Sequence, residues 1–159
     1  MALHPSAQKV ESSARQLGLE IEIVEFAETT RTAQEAATAI GCEVAQIVKS
    51  LIFIVAGHPV VTLLSGTNRL DERKLAGLCE TSRKKVRRAD ADAVKTATGF
   101  SIGGVPPFGY KTELKVFVDR DLSHYDVVWA AAGTPFAVFA VSPSKLIEAS
   151  GGQPADLKV

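Results

Sequence analysis

The sequence has few of the residues, and none of the short motifs, on which most enzyme classes depend. Its 159 residues include only 2 cysteines and 3 histidines, without a Cys-x-x-Cys pair or a histidine at metal-ligand spacing. The motifs of nucleophile-elbow hydrolases, P-loop NTPases, zinc proteases and dinucleotide-binding domains are also absent. We therefore expect no metal site, reduced cysteines, and, if the protein is an enzyme, catalysis without a conventional triad.

Charge of one sign and long apolar runs are lacking as well. The 18 basic and 18 acidic side chains give a formal net charge of +0, which argues against a protein that wraps nucleic acid and leaves a local basic face possible. The longest apolar stretch, residues 51–64, is interrupted by Gly57, His58 and Pro59 and is too short to cross a bilayer. The first residues lack the apolar region of a signal peptide. We expect a cytoplasmic protein with no membrane or DNA partner.

Helix and strand signals alternate along the chain. Apolar spacing predicts a first helix over residues 7–17, and four later helices begin at residues that cap helices well: Thr32, Asp71, Asp90 and Ser142. Six segments read as strands: 21–26, 47–55, 60–64, 114–118, 126–131 and 136–141. The second and third flank a turn through Gly57, His58 and Pro59, so we predict an antiparallel hairpin. We predict one mixed α/β, α+β-like domain over residues 1–159, with a curved or barrel-like sheet, flanking helices and a loose tail at 152–159.

Lys49 stands out because it lies in the apolar run Ile47–Phe53. An ammonium in such a strand is costly unless an anion or a carbonyl satisfies it, which would make Lys49 a phosphate or carbonyl ligand at a pocket mouth. Alternatively, its long side chain reaches water at the strand end.

Two further segments have both a functional and a structural interpretation. In the loop over residues 101–109, glycines allow close approach of the backbone to a ligand and prolines stiffen it, although a tight connection would need the same residues. A basic run could contact an RNA backbone, or it could protect a solvated edge strand. Its members are Arg83, Lys84, Lys85, Arg87 and Arg88.

Several segments together resemble the YbaK/prolyl-tRNA editing family. They are TAQEAA, IVKSLIF, SGTNRLDERKL, KKVRRADADAV, TGFSIGGVPPFG and VWAAAGTPFAVFAVSP, which run from about Glu25 to about Leu146. The resemblance implies the editing-domain fold and hydrolysis of the ester of mischarged tRNA, in trans because no synthetase is attached. It also implies aminoacyl-tRNA as the partner, with a synthetase as a further possible partner, and no cofactor.

The resemblance assigns roles to individual residues. Lys49 would contact the terminal adenosine and phosphate region, and Gly103 would act through its backbone as the first residue of the family's GxxxP loop. The strand at Ala130–Gly133 matches the family's pocket wall. Some cysteine-specific members carry Ser and Asp at the positions of Ala131 and Val138. The predicted substrate-binding residues are Ser50, Asn68, Ser101, Gly104, Val105, Pro107, Phe108, Ala131 and Gly133.

An apolar pocket formed by residues 130–132, Val105 and Phe108 would suit a small side chain. We therefore expect alanine, or another small residue, misattached to tRNA(Pro). The substrate's own ribose hydroxyl would help activate water, while the glycine loop would stabilise the oxyanion. The alternative is a non-catalytic tRNA- or RNA-binding module, which would use the basic run equally well. Hydrolysis of a small free ester or amide is a third possibility.

Overall fold

Helices and strands interleave along residues 3–27 and 32–159, which the computed structural model describes. The helices are α1 (Pro5–Gln16), α2 (Ala33–Ile40), α3 (Glu72–Leu78), α4 (Ala91–Thr98) and α5 (Pro143–Ser150). The strands are β1 (Ile23–Glu25), β2 (Val48–Val55), β3 (His58–Ser65), β4 (Val86–Arg88), β5 (Lys115–Asp119), β6 (Val128–Ala131), β7 (Ala137–Val141) and β8 (Gln153–Ala155). No helix in this part of the chain has the length and hydrophobicity that crossing a membrane requires.

The four predicted capping residues all begin helices. The side-chain oxygens of Thr32, Asp71, Asp90 and Ser142 accept hydrogen bonds from backbone N–H groups in the first turns of α2, α3, α4 and α5. These bonds satisfy donors that have no partner within the helix, so the local sequence fixes where each helix starts.

The strands form a five-stranded sheet, in the order β4-β2-β3-β5-β8, and a three-stranded sheet, in the order β1-β7-β6. The predicted β2–β3 hairpin is confirmed, but its turn is Ala56–Gly57, where φ is +49° and +85°. His58 and Pro59 belong to β3. Pro59 lies just before Val60, where pairing with β5 begins, so its missing N–H is tolerated there.

The mixed α/β fold class is confirmed, although the sheets do not close into a barrel. Within the described residues, one isolated bridge from Ile47 to Trp129 connects the strands of the two sheets. The start of β2 therefore lies beside β6, and a gap between the sheets opens at that corner.

Both faces of the larger sheet are covered. Leu63 and Leu64 are neighbours on β3 and point to opposite faces, yet both are fully buried. On one face Leu63 belongs to a core that includes Val10 of α1 and Phe139 of β7. On the other face Leu64 packs in a second core with Leu75 of α3. Lys49 on β2 is paired with Leu64, so the buried strand β3 fixes the position of the Lys49 backbone.

The prediction of a loose tail at 152–159 is wrong. Residues 153–155 form β8, which pairs in parallel with β5. Leu157 is fully buried, Leu70 forms a bridge with Lys158, and Lys158 pairs with Asp121. A strand of three residues is too short to show a periodic apolar pattern. The prediction therefore followed the polar composition of the segment, in which Leu157 is one of few apolar residues.

Candidate active site

A cavity of about 790 Å³ opens at the corner where the two sheets meet. Its walls come from the start of α2, residues 47–51 on and before β2, the loop at 102–105, and residues 129–138 around the β6–β7 turn. This volume is typical of a small-ligand site. Five of the predicted site residues share the cavity with Arg88 of the basic run: Lys49, Ser50, Gly103, Val105 and Ala131.

Lys49 is half-buried at the cavity and its ammonium is held by a carbonyl group. Its Nζ donates a hydrogen bond of 2.6 Å to the backbone oxygen of Asn68. Burial lowers the pKa of Lys49 below its ordinary value, the charge of Arg88 lowers it further, and Asp119 opposes the shift. Lys49 therefore has a defined position, and two of its three ammonium donors are left for other acceptors.

Asn68 supports Lys49 and does not line the cavity, where it was predicted to bind substrate. Its Nδ2 donates to the Oδ2 atoms of Asp119 at 2.8 Å and Asp121 at 2.9 Å. The buried Asp119 also accepts from the Ser65 N–H, and Asp121 accepts from Lys158 Nζ at 2.7 Å. The bonds from Lys158 and Asn68 lower the pKa of Asp121. The only sequence signal for this support was the acidic pair at the end of an apolar strand.

The glycine loop packs closely against the β6–β7 turn. Gly103 lines the cavity with φ at +89°, a conformation that favours glycine. The Gly133 N–H donates to the Gly104 oxygen at 2.9 Å. A Cβ on Gly104 would lie 2.7 Å from Thr134 Cα. Gly104 and Gly133 thus hold two cavity walls together and are not part of its lining.

Three other predicted contacts in the loop lie away from the cavity. The prediction for Phe108 is wrong, because its ring is 3% exposed in the main core and packs against Phe139 with 5.7 Å between ring centroids. Pro107 is buried beside it, and Ser101 is exposed, but neither lines the cavity. The hydroxyl of the partly buried Tyr110 donates to the Pro106 oxygen at 2.8 Å, which anchors this half of the loop.

Fewer of the residues at 130–132 line the cavity than predicted, because side chains alternate between the two faces of a strand. Ala131 lines the cavity, whereas Ala130 and Ala132 are fully buried on the opposite face. Trp129 shares the cavity face with Ala131 and was missed, although its spacing of two from Ala131 could have revealed it. Val138 pairs with Ala131 across β6 and β7 and lines the cavity beside it.

Among the described residues, Ser50 has the one buried side-chain polar atom that lacks a hydrogen-bond partner. Its Oγ is buried at the cavity and has no hydrogen-bond partner among the described residues. A buried hydroxyl without a partner costs free energy, so a polar group of a ligand would gain by bonding to it.

The basic run is divided by the structure. Residues 83–85 form a 3₁₀ helix, and β4 continues the run as the exposed edge strand of the larger sheet, as one interpretation predicted. Arg83 pairs with Glu72, while Lys84, Lys85 and Arg87 are exposed outside the cavity. Only Arg88 of the run reaches the cavity.

The cavity has little conventional catalytic chemistry. None of the described residues that line it is His, Cys, Asp or Glu. Elsewhere, too, the described residues contain no group of three or more such side chains able to hold a metal ion. The chemistry it offers consists of two cations, hydroxyl groups, the Gln34 amide, the Trp129 indole, and backbone groups of a glycine loop between apolar walls.

Comparison with known proteins agrees with this arrangement. A profile of the aminoacyl-tRNA editing domain matches residues 27–149. The Bacillus subtilis protein YwhH is 30% identical over 146 residues, which are 91% of this chain and 91% of YwhH. The Enterococcus faecalis protein EbsC, described as a proposed Cys-tRNA(Pro)/Cys-tRNA(Cys) deacylase, is 28% identical over 83% of this chain and 80% of its own length.

The same agreement extends to the three-dimensional structure. A crystal structure described as that of a proposed trans-editing enzyme for prolyl-tRNA synthetase matches with a TM-score of 0.93 and 45% identity, covering 99% of both chains. The fold is therefore that of an editing domain. The chain belongs to the aminoacyl-tRNA editing domain family.

Proposed function

We propose that this protein hydrolyses the ester of mischarged tRNA, most specifically tRNA(Pro) carrying alanine or another small amino acid. The observation that carries the proposal is that Lys49 and Gly103 line the same cavity. One wall of this cavity is apolar, formed by Ala131 and Val138, and its described lining contains no acidic or histidine side chain. The proposal includes the acceptor end of tRNA as the ligand, a cytoplasmic location, and a synthetase as a possible partner.

The reaction needs little from protein side chains because an aminoacyl ester is already activated. Water adds to the ester carbonyl, the oxyanion collapses, the bond to the ribose oxygen breaks, and that oxygen takes up the proton that water loses. The neighbouring ribose hydroxyl would orient the water, and the backbone at Gly103 would face the developing oxyanion. Lys49 would hold the terminal nucleotide, supported by Asn68.

The side chain of the amino acid would lie against the β6–β7 wall. Ala131 and Val138 are paired there, at the positions where some cysteine-specific relatives carry serine and aspartate. Two apolar groups offer no hydrogen bond to a thiol, so we favour alanine over the cysteine named for EbsC. Discrimination of one methylene by binding is worth only about 1–3 kcal/mol, which is why a second, editing site is useful to a synthetase.

The test is deacylation of tRNA(Pro) charged separately with alanine, cysteine, serine and proline. We expect rapid loss of alanine, slower loss of the other noncognate residues and no loss of proline. Lys49→Ala should abolish turnover, whereas Lys145→Ala, which removes an exposed lysine of α5, should leave the rate unchanged.

Two outcomes would reject parts of the proposal. If cysteine is removed fastest, the assignment of the small apolar substrate is wrong, while the deacylase activity stands. If the protein binds these tRNAs with salt-dependent affinity but cleaves none, it is the binding module considered above.

A further inference from the structure

Two cations share a cavity whose described lining contains no acidic residue, although the charge of Asp119 acts on Lys49 from outside the lining. Lys49 and Arg88 both line it, and none of the described lining residues is acidic. Neither cation forms an ion pair within the described chain. Two like charges facing one cavity repel each other, and the lowered pKa of Lys49 has that repulsion as its second cause after burial. An anionic ligand would relieve this repulsion.

The strand register places Arg88 on the same face of the larger sheet as Lys49, and its neighbour Arg87 on the opposite face. Arg88 is paired with Phe53 of β2, and its guanidinium lies over that ring, with Cζ 5.9 Å from the ring centroid. Lys49 precedes Phe53 by four residues and therefore shares its face of the sheet. Arg87 is paired with Ile54 and points to the other face.

A guanidinium held over an aromatic ring is well prepared to bind an anion. The contact between Arg88 and Phe53 limits the rotation of the side chain and leaves the N–H groups at its edge free. These groups match two oxygens of a phosphate at once, which an ammonium cannot do. The Lys49 ammonium, already tied to the Asn68 carbonyl, is the less adaptable of the two cations.

We propose that Arg88 binds the phosphate group of the last nucleotide of the substrate. This inference rests on the proposed function and adds to it, since it separates two tasks within the cavity: Arg88 binds the phosphate, and Lys49 holds the nucleoside part of the same nucleotide. The other cations of the basic run, which lie outside the cavity, would then contact the tRNA body or only solvent. The cavity would recognise a single terminal nucleotide without the rest of the tRNA.

The experiment compares the binding of adenosine 5′-monophosphate and adenosine by calorimetry. We expect the wild type to bind the monophosphate about tenfold more tightly than adenosine, because a charge-assisted pair contributes roughly that factor. Arg88→Gln should abolish this preference. Arg87→Gln is the matched control: it removes the same charge from the adjacent residue on the opposite face, and a mononucleotide has no tRNA body for it to contact.

A third variant separates binding chemistry from folding. Arg88→Lys keeps the charge but loses the two-pronged contact, so it should retain only part of the preference. Urea unfolding of each variant shows whether the fold is intact. The inference is overturned if the wild type does not prefer the monophosphate, or if Arg88→Gln and Arg87→Gln reduce the preference equally.

The binding readout also keeps this inference distinct from the proposed function. An Arg88-dependent preference for the monophosphate in a protein that cleaves no aminoacyl-tRNA would retain the phosphate site and reject the deacylase. Deacylation of mischarged tRNA without such a preference would reject only the phosphate site.

Discussion

Replacing Gly104 by alanine is expected to separate two walls of the cavity. A Cβ at this position would lie 2.7 Å from Thr134 Cα and 2.8 Å from both Thr134 N and the Gly133 carbonyl carbon. All three are backbone atoms, so no side-chain rotation can relieve the contact. Ordinary contact begins at 3.4 Å, so the glycine loop and the β6–β7 turn must move apart by about 0.7 Å.

The size of the effect follows from this displacement. Overpacking of a closely packed site costs about 1–3 kcal/mol of unfolding free energy. Because Gly103 and Ala131 lie on the two walls that separate, the ester and the oxyanion-stabilising backbone would lose their alignment. A misplacement of about 1 Å costs on the order of 100-fold in rate, so we expect deacylation to fall by roughly 10- to 100-fold.

The assay pairs urea unfolding with deacylation of mischarged tRNA, and Gly77→Ala is the control. Gly77 lies in α3, its φ is not positive, and a Cβ added to it would meet no other atom within 4 Å. Alanine there should raise the unfolding free energy by about 0.5–1 kcal/mol and leave the rate unchanged. The reasoning is refuted if Gly104→Ala matches the wild type in both stability and rate.

Three further predictions concern stability and charge. Tyr110→Phe removes the hydroxyl that anchors the glycine loop and should lower the urea unfolding free energy by about 1 kcal/mol, and an unchanged midpoint would contradict this. Leu157→Ala should lower the unfolding free energy by about 2–5 kcal/mol in the same titration, because its side chain is fully buried. Val159→Ala, at a residue that is 78% exposed, should lower it by less than about 0.5 kcal/mol. Equal effects would contradict the packing of residues 152–159 against the domain. Arg88→Gln removes a charge that lowers the pKa of Lys49, so the Lys49 ammonium should titrate at higher pH than in the wild type in ¹³C NMR, and an unmoved titration would disprove the coupling.

Local signals predicted the elements well, since their causes are local. Thr32 and Asp90 begin helices because their side-chain oxygens bond to N–H groups three residues later, a relation visible in sequence. The cavity depends instead on which face of a strand each residue occupies. Ala130 and Ala131 have the same side chain, and only the pairing with β7 determines that Ala131 faces the cavity.

The support of Lys49 was beyond the reach of sequence for a different reason. Asn68 and Asp119 are 51 residues apart and meet only because β3 and β5 pair in parallel. The resemblance to a family pointed to Lys49 and Gly103, which both line the cavity. It did not separate the residues that line the cavity from those, such as Phe108, that pack behind its walls.

The order in which the strands pair has a consequence for synthesis on the ribosome. The β2–β3 hairpin can form as soon as it emerges, but β1 must wait for β7, and β5 gains its second neighbour only when β8 has appeared. The two walls of the cavity belong to different sheets. A partly synthesised chain that ends before β7 therefore contains only one of the walls and no working site. Folding should therefore be slow and nearly all-or-none, with the site appearing late, as expected when pairing joins distant parts of a chain.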